Sequence, residues 1–255
     1  MRCLEWENIV FRIILAVLFM GLAAGPAAGQ DHDPPTPTQI PSFLSMFAQL
    51  PGDVRHLATV QNLEVVAAGA ATALLLKPYE VRVNGFIQDS DDAENTFDAG
   101  DALGGGAQQI GGAFTTYFVG RSLSNAHLAV VGSELVRAQL LNGGLTQGLK
   151  IAVNRRRPDH GPYSFPSGHT SASFATATVI DHEYGWKAGI PAYAVASYVG
   201  VSRLSENSHF ASDVAFGAAL GIVSARAVTL GHTRLQLTPI ATPRTRGFEL
   251  TISKE

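Results

Sequence analysis

The periodicity of the apolar residues limits the possible folds more than any other feature, because it repeats at helical spacing in several separate stretches. These stretches cover residues 42–49, 65–76, 108–123, 126–151, 170–184, 187–202 and 210–230. Alanine-rich runs and a high glycine content favour helices packed closely through small side chains over a Val/Ile-rich sheet. We therefore expect an all-α domain over residues 42–230, built as a helical bundle of about six core helices.

The N-terminal segment has the pattern of a secretory signal peptide over residues 1–29. Arg2 and Arg12 flank the start, residues 13–24 form an uninterrupted apolar run, and residues 27–29 are small. The run is shorter than the roughly 20 residues of a membrane span, although an uncleaved membrane anchor is the alternative. Cleavage would place the mature chain in the periplasm or cell envelope and would remove Cys3, the only cysteine.

Two further segments lie outside the expected helical body. Residues 30–41 contain four prolines among polar residues and are expected to form an extended linker. Residues 231–255 alternate apolar and polar side chains on either side of a predicted turn at 243–247, which indicates a small β-hairpin.

Charge and hydropathy restrict the possible partners. The chain has 18 Lys and Arg against 21 Asp and Glu, a net charge of −3, and no basic run suggests a nucleic-acid footprint, so nucleic acid is not an expected partner. Residues 65–76 and 214–225 are uncharged for only about twelve residues, which fits buried core helices better than membrane spans. We expect a body that works in water or at a membrane surface.

An acidic segment interrupts the helical pattern between positions 89 and 101. Its six carboxylates are Asp89, Asp91, Asp92, Glu94, Asp98 and Asp101. The spacing lacks the central glycine and the terminal glutamate of a calcium-binding EF-hand loop, so we predict a solvated acidic connector.

The first of three short motifs is Lys150-x6-Arg157-Pro158. Seven residues are about two helical turns, so Lys150 and Arg157 would point the same way, and Pro158 turns the chain into a loop. Two positive charges at one helix end would attract an anion. The alternative is a surface helix end whose cations complement the helix dipole, with Arg155 and Arg156 solvated.

The second motif, Pro166-Ser167-Gly168-His169, directly precedes an apolar helical pattern. Ser167 can cap the helix, Gly168 lets the backbone approach a ligand, and free N–H groups at the helix start would point at an anion. The helix terminus disfavours a charged His169 while a bound phosphate favours it, which suits a general acid. The alternative is an ordinary capped helix start with an incidental histidine.

The third motif is Ser202-Arg203-x5-His209-x3-Asp213. On a helix, the four-residue spacing places His209 and Asp213 on one face, where the carboxylate would accept the Nδ1 proton and orient Nε2 as a nucleophile. Arg203 adds a planar guanidinium that suits two phosphate oxygens. The alternative is a partly exposed i,i+4 ion pair.

Taken together and in this order, the three motifs resemble the signature of the type 2 phosphatidic acid phosphatase superfamily, which also includes class A acid phosphatases and vanadium haloperoxidases. The resemblance covers residues 150–213 closely. It implies the helical fold of that superfamily and a metal-independent phosphatase, with no cofactor and no metal ligands.

The resemblance also implies a role for each motif residue. Phosphoryl oxygens would be held by Lys150, Arg157, Ser167, Gly168 and Arg203. The catalytic residues would be three: His209 as the nucleophile that forms a phosphohistidine, Asp213 as the residue holding its ring, and His169 as the proton donor to the leaving oxygen.

The substrate and two alternative functions stay open at this point. Members of the superfamily cleave lipid phosphates or small soluble phosphate esters, and all of them share the same clamp. The first alternative is a haloperoxidase that holds vanadate as a cofactor in this pocket; in a phosphatase, vanadate is expected to inhibit. The second is a non-catalytic envelope protein that binds phosphorylated ligands.

Overall fold

A computed structural model of the chain describes residue 37, residues 39–88 and 97–229, and the backbone of residues 233–242 and 245–254. The predicted signal peptide and most of the predicted linker, together with positions 89–96 of the acidic segment, lie outside the described residues.

The described residues form nine α-helices, which confirms the all-α fold class. The helices are α1 Phe43–His56, α2 Val60–Leu76, α3 Glu80–Gln88, α4 Ala99–Gly104, α5 Gly106–Ser122, α6 Ala126–Val153, α7 Gly168–Tyr184, α8 Trp186–Ser205 and α9 Ala211–Thr229. A 3-10 helix at Lys77–Tyr79 joins α2 to α3.

Helix boundaries differ from the prediction at several places, and α2 begins at Val60 instead of residue 65. The helices α3 and α4 were not expected, because nine and six residues are too short to show a clear helical period. Helix α1 continues through Pro51 to His56 instead of ending near residue 49. A tertiary contact favours the longer helix, since Asp53 accepts two hydrogen bonds from the buried Arg137 of α6, at 2.9 and 3.1 Å.

Helix α9 lies at the centre of the bundle and packs against α2, α6 and α7. Almost all of its side chains are buried, including Ile222, Val223 and Val228. It approaches α7 closely because Gly217 and Gly221 face that helix: a Cβ at Gly221 would lie 2.1 Å from the carbonyl oxygen of Ser171. The expected buried core helix at 214–225 is therefore confirmed.

Residues 65–76 were expected to form a buried core helix, and this expectation was wrong in part. Only one side of α2 is buried, through residues such as Ala73 and Leu76, because the helix has a neighbour on that side. Leu74 and Leu75 are 69% and 73% exposed. The other side of α2 thus presents an apolar surface to the outside.

Among the described residues, one helix is long and apolar enough to cross a membrane by length and composition, namely Ala211–Thr229. Its 89% burial also fits the core helix of a soluble protein. Residues 43–56 and 60–88 pass the same test only as a pair bent by 71°.

The C-terminal β-hairpin consists of β1 Thr233–Thr242 and β2 Thr245–Lys254, paired antiparallel. The register sets Leu237 opposite Leu250 and Thr242 opposite Thr245. Residues 245–247 were predicted as part of the turn but belong to β2, because backbone pairing continues up to that point.

Candidate active site

The first motif lies where α6 ends and the chain turns back toward α7. Lys150 is in the last turn of α6, which ends with Asn154 in the left-handed conformation at φ 45°. The Lys150 ammonium donates a hydrogen bond to the carbonyl oxygen of Tyr163, at 2.6 Å. Burial lowers the pKa of Lys150 to about 8, and the neighbouring charge of Arg157 acts in the same direction.

Arg157 lies in the loop that follows α6, and its backbone N–H donates to the carbonyl oxygen of Gly161, at 2.8 Å. The side chain is half-buried, and its Nε atom is buried without a hydrogen-bond partner among the described residues. A buried, unpaired guanidinium N–H is costly, so it marks a place where an anion would be stabilised.

The second motif forms the start of α7 and is joined directly to α9. Ser167 is the N-cap residue, but its side chain does not cap the helix as predicted. Its hydroxyl pairs instead with that of Thr170, at 2.9 Å, because both side chains are fully buried together. The Ser167 N–H donates to the carbonyl oxygen of Asp213, at 3.1 Å, so two motifs distant in sequence meet here.

His169 lies in the first turn of α7, next to the Gly168 backbone. Its Nε2 atom is 3.1 Å from a carboxylate oxygen of Asp101. Burial lowers the pKa of His169 to about 4, Arg203 and His209 act in the same direction, and Asp101 opposes them. In the free site the ring is therefore neutral near pH 7.

Arg203, the cation of the third motif, is buried near the end of α8. Its Nη1 donates to Asp101, at 2.8 Å, its Nη2 to Glu206, and its Nε to Ser202, at 3.1 Å. The guanidinium is thus held in one orientation by three partners.

The predicted helical pairing of His209 with Asp213 needs a correction. Helix α9 begins at Ala211, so His209 precedes it and the two residues do not share a helix face. The His209 Nδ1 atom lies 3.8 Å from Asp213, beyond hydrogen-bond distance, and is buried without a hydrogen-bond partner among the described residues. The carboxylate still faces the ring, because a turn brings His209 back over the first turn of α9.

The His209 imidazole is held neutral by its surroundings. Burial lowers its pKa, and the charges of Lys150 and Arg157 act in the same direction, while Asp213 opposes them. Its backbone N–H donates to the carbonyl oxygen of Arg203, at 3.2 Å. A neutral imidazole retains a lone pair and can act as a nucleophile.

Asp213 is fully buried and accepts three hydrogen bonds. Arg155 donates to one carboxylate oxygen, at 2.7 Å, while the Ser164 hydroxyl and the Phe210 N–H donate to the other, at 2.5 and 2.9 Å. Burial raises the pKa of Asp213, but the hydrogen bonds and the Arg155 charge outweigh it, so the pKa falls below its usual value. Asp213 is therefore a fixed negative charge beside His209.

Arg155 was predicted as a solvated alternative and is instead part of the site. It joins Asp213 to Ser212, at 2.8 Å, and to Glu80 of α3. Nothing in an arginine triplet at positions 155–157 shows that Arg155 faces inward as well as Arg157, so the sequence alone could not identify Arg155.

Asp101 was also missed, because it belongs to a segment predicted as a solvated acidic connector. Its carboxylate contacts both His169 and Arg203. The sequence signal was an acidic side chain directly after Gly100 and three residues before Gly104, and that pattern is too common to be assigned without the fold.

The predicted residues therefore converge on one place from four segments: the end of α6, the start of α7, the end of α8 and the turn before α9. A cavity of about 480 Å³ lies beside Lys150, Gly168 and His169, with its other walls from α5 and α6. Within the part of the chain that the structure describes, no group of three or more His, Cys, Asp or Glu side chains is placed to hold a metal ion.

Comparison with known proteins agrees with this arrangement. The model of the PAP2 superfamily matches residues 132–236, which contain all three motifs. Residues 132–236 are therefore similar to the PAP2 superfamily. The resemblance inferred from the motifs is thereby confirmed, and the match extends from α6 into β1.

Similar curated proteins are lipid A phosphatases. The chain is 45% identical over 87 residues to a lipid A 1-phosphatase of Porphyromonas gingivalis, covering 32% of this chain and 20% of the relative. It is 29% identical over 96 residues to a lipid A 4'-phosphatase of Helicobacter pylori, covering 33% and 48%. The chain thus spans less than half the length of these two relatives.

A solved structure is similar to part of the chain. The crystal structure of LpxE from Aquifex aeolicus has a TM-score of 0.49 and 24% identity, and the match covers 58% of this chain and 92% of that one.

Proposed function

We propose that this PAP2 protein is a metal-independent phosphatase that hydrolyses a phosphomonoester through a phosphohistidine intermediate. The observation that carries the proposal is the convergence of three cations and two histidines on one place, where Lys150 and His169 also line the cavity. Lys150 and Arg157 lie close enough to His209 to lower its pKa, and Arg203 does the same for His169. Such a cluster suits an anion with several oxygens and one atom open to attack.

The phosphoryl oxygens would be held by Lys150, Arg157 and Arg203, with the Ser167 hydroxyl and the Gly168 amide completing the clamp. Phosphoryl transfer needs mainly position and charge, because negative charge is spread over the equatorial oxygens in the transition state. The unpaired Arg157 Nε and the helix start at Gly168 supply donors of the required kind.

In the first step the lone pair of neutral His209 forms a bond to phosphorus while the bond to the leaving oxygen breaks. That oxygen takes a proton from His169, whose pKa rises when the substrate dianion lies beside it. In the second step neutral His169 takes a proton from water, the hydroxide oxygen attacks phosphorus, and the bond to His209 breaks. Asp213 stabilises the positive charge that develops on His209.

A lipid phosphate is the substrate class that we propose. The named relatives act on lipid A according to their names. The apolar surface of α2, with Leu74 and Leu75 exposed, would suit contact with a membrane surface. The cavity of about 480 Å³ has room for a phosphorylated headgroup. The predicted signal peptide would place this chemistry in the periplasm or cell envelope.

The test uses the purified full chain with a chromogenic phosphate ester and with phosphorylated lipids in vesicles. We expect hydrolysis that survives EDTA, is inhibited by vanadate, and gives an acid-labile, alkali-stable phosphoprotein on rapid quenching. His209→Gln should abolish turnover and the phosphoprotein. A strict magnesium requirement, or unchanged turnover in His209→Gln, would contradict the mechanism, and bromide oxidation with vanadate and peroxide would support the haloperoxidase instead.

The pH dependence supplies a second check. His209 must be neutral to attack. Because its pKa lies below the ordinary histidine value of 6.5, activity is lost only as pH falls through that lowered pKa. His169 must be protonated, and with a free-site pKa of about 4, kcat/KM should fall as pH rises above that value. The basic limb of kcat should lie at higher pH, because bound phosphate raises the pKa of His169. A strongly alkaline optimum would count against these roles.

A further inference from the structure

Asp101 joins two groups of the candidate active site although it lies outside the three motifs and outside the PAP2 family match. One oxygen of its carboxylate is 2.8 Å from Nη1 of Arg203 and 3.1 Å from Nε2 of His169. The same atom therefore contacts the buried phosphate-clamp arginine and the histidine assigned to the leaving group.

The short helix α4 is shaped to bring Asp101 to this position. Its two glycines, Gly100 and Gly104, lie one turn apart and both face the bundle. A Cβ at Gly100 would lie 2.1 Å from the Ser202 hydroxyl, and a Cβ at Gly104 would lie 2.4 Å from Val199 and 3.0 Å from the Cβ of His169. Only a helix with glycine at both positions can approach α8 and α7 this closely.

An aromatic contact also holds the segment before α4 against α8. The ring of Phe97 packs against that of Tyr198 of α8, with centroids 5.4 Å apart. Residues before and after Asp101 therefore both pack against α8, the helix that carries Arg203. Its carboxylate is 66% exposed, so the packing of α4, and not burial of the side chain, determines where it lies.

The contact with Nε2 has a chemical consequence for His169. A carboxylate that accepts the Nε2 proton leaves Nδ1 as the ring nitrogen that can exchange a proton with a substrate oxygen. It also stabilises the imidazolium. The other charged groups that act on His169, Arg203 and His209, oppose its protonation. Asp101 is the one group among those acting on His169 that favours the acid form.

We propose that Asp101 is a positioning residue of the phosphatase reaction, which orients His169 and Arg203 and maintains His169 as the proton donor to the leaving group. The proposal rests on the proposed function above. Asp101 would act through these two side chains and would not itself contact the phosphoryl group, since its negative charge would repel it.

The test compares Asp101→Asn with Asp98→Asn in the full chain. Asp98 is the exposed residue directly before α4, carries the same charge, and is not among the groups that act on His169. We expect Asp101→Asn to lower kcat about tenfold or more on alkyl phosphates, with a smaller change in KM, because a positioned general acid contributes about 100-fold or more. The basic limb of its pH profile should move to lower pH.

A leaving-group series separates positioning from a merely structural role. A p-nitrophenyl ester needs little protonation of its leaving oxygen, so the loss in Asp101→Asn should be much smaller on that ester than on alkyl phosphates. Gly104→Ala, which would push α4 away from His169, should reproduce this pattern. The double variant should lose little more activity than Asp101→Asn alone. Thermal unfolding should show Asp101→Asn folded like the parent.

Three outcomes would overturn the proposal. Equal losses on both classes of ester would indicate a structural role, and tighter vanadate binding with unchanged kcat would indicate a carboxylate that competes for the anion site. Activity of Asp101→Asn equal to that of Asp98→Asn would show no role at all. An inactive parent protein would instead reject the proposed function, so the two failures are distinguishable.

Discussion

At the scale of single residues, the site depends on side chains that the catalytic motifs do not include. Arg155 and Ser164 hold the Asp213 carboxylate, and Asp101 holds His169 and Arg203. These contacts determine which way each candidate catalytic group points. The motif residues supply the reacting groups, whereas the side chains that hydrogen-bond to them fix the orientation of those groups.

Arg155→Ala should lower kcat about tenfold or more, because it leaves the buried Asp213 without its guanidinium partner and free to turn away from His209. Arg156→Ala is the matched control, since Arg156 is the adjacent, exposed member of the same triplet. Steady-state kinetics and thermal unfolding of both variants provide the measurement. Equal kinetics for the two variants would contradict the assignment of Arg155.

At the scale of helices, close approach determines how the motifs meet. Helix α9 contacts α7 through Gly217 and Gly221, and the Ser167 N–H reaches the carbonyl oxygen of Asp213 across that contact. The second and third motifs can touch only because two helix backbones lie nearly in contact. Small residues in the helix interiors thus have a role in placing the site as well as in packing.

Gly221→Ala should destabilise the fold by about 1–3 kcal/mol, because the added Cβ would lie 2.1 Å from the carbonyl oxygen of Ser171 and 2.9 Å from the Ala175 amide nitrogen. Gly112→Ala is the control: the position is exposed and helical with nothing within 4 Å, so it should stabilise by roughly 0.5–1 kcal/mol. Denaturant unfolding of the two variants measures the difference. A stability loss of the same size in both would show that the contact has no special importance.

At the scale of the whole molecule, the cavity and the exposed apolar surface have different parts in the proposed function. The cavity lies beside Lys150 and Gly168, two of the residues proposed to hold the phosphoryl group. Leu75 of α2 and Val81 of α3 lie far on the outside, 73% and 75% exposed. This division predicts that catalysis and contact with a lipid surface can be separated by substitution.

The double variant Leu75→Gln, Val81→Gln should lower binding to phospholipid vesicles about tenfold or more, since each exposed apolar side chain transferred from water contributes about 1.5–3 kcal/mol. Turnover of a soluble chromogenic ester should stay unchanged. Vesicle sedimentation and both activity assays provide the test. A parallel loss of turnover on the soluble ester would mean that these residues support the fold instead of a membrane contact.

Some properties followed from local patterns in the sequence. Helical periodicity predicted the fold class and the helices α5 to α9, because an amphipathic or small-residue helix carries its signal within its own residues. The motif residues Lys150, Arg157, His169 and Arg203 were predicted for the same reason, since their types and short-range spacing are local.

The tertiary structure decided what depends on contacts between segments far apart in the chain. It brought Arg155 into the site in addition to the predicted Arg157, and it placed His209 in a turn instead of on a helix. It also made Asp101, predicted as a connector residue, a partner of Arg203, 102 positions away. Sequence patterns report on neighbours along the chain, whereas the orientation and pKa of a buried charge depend on neighbours in space.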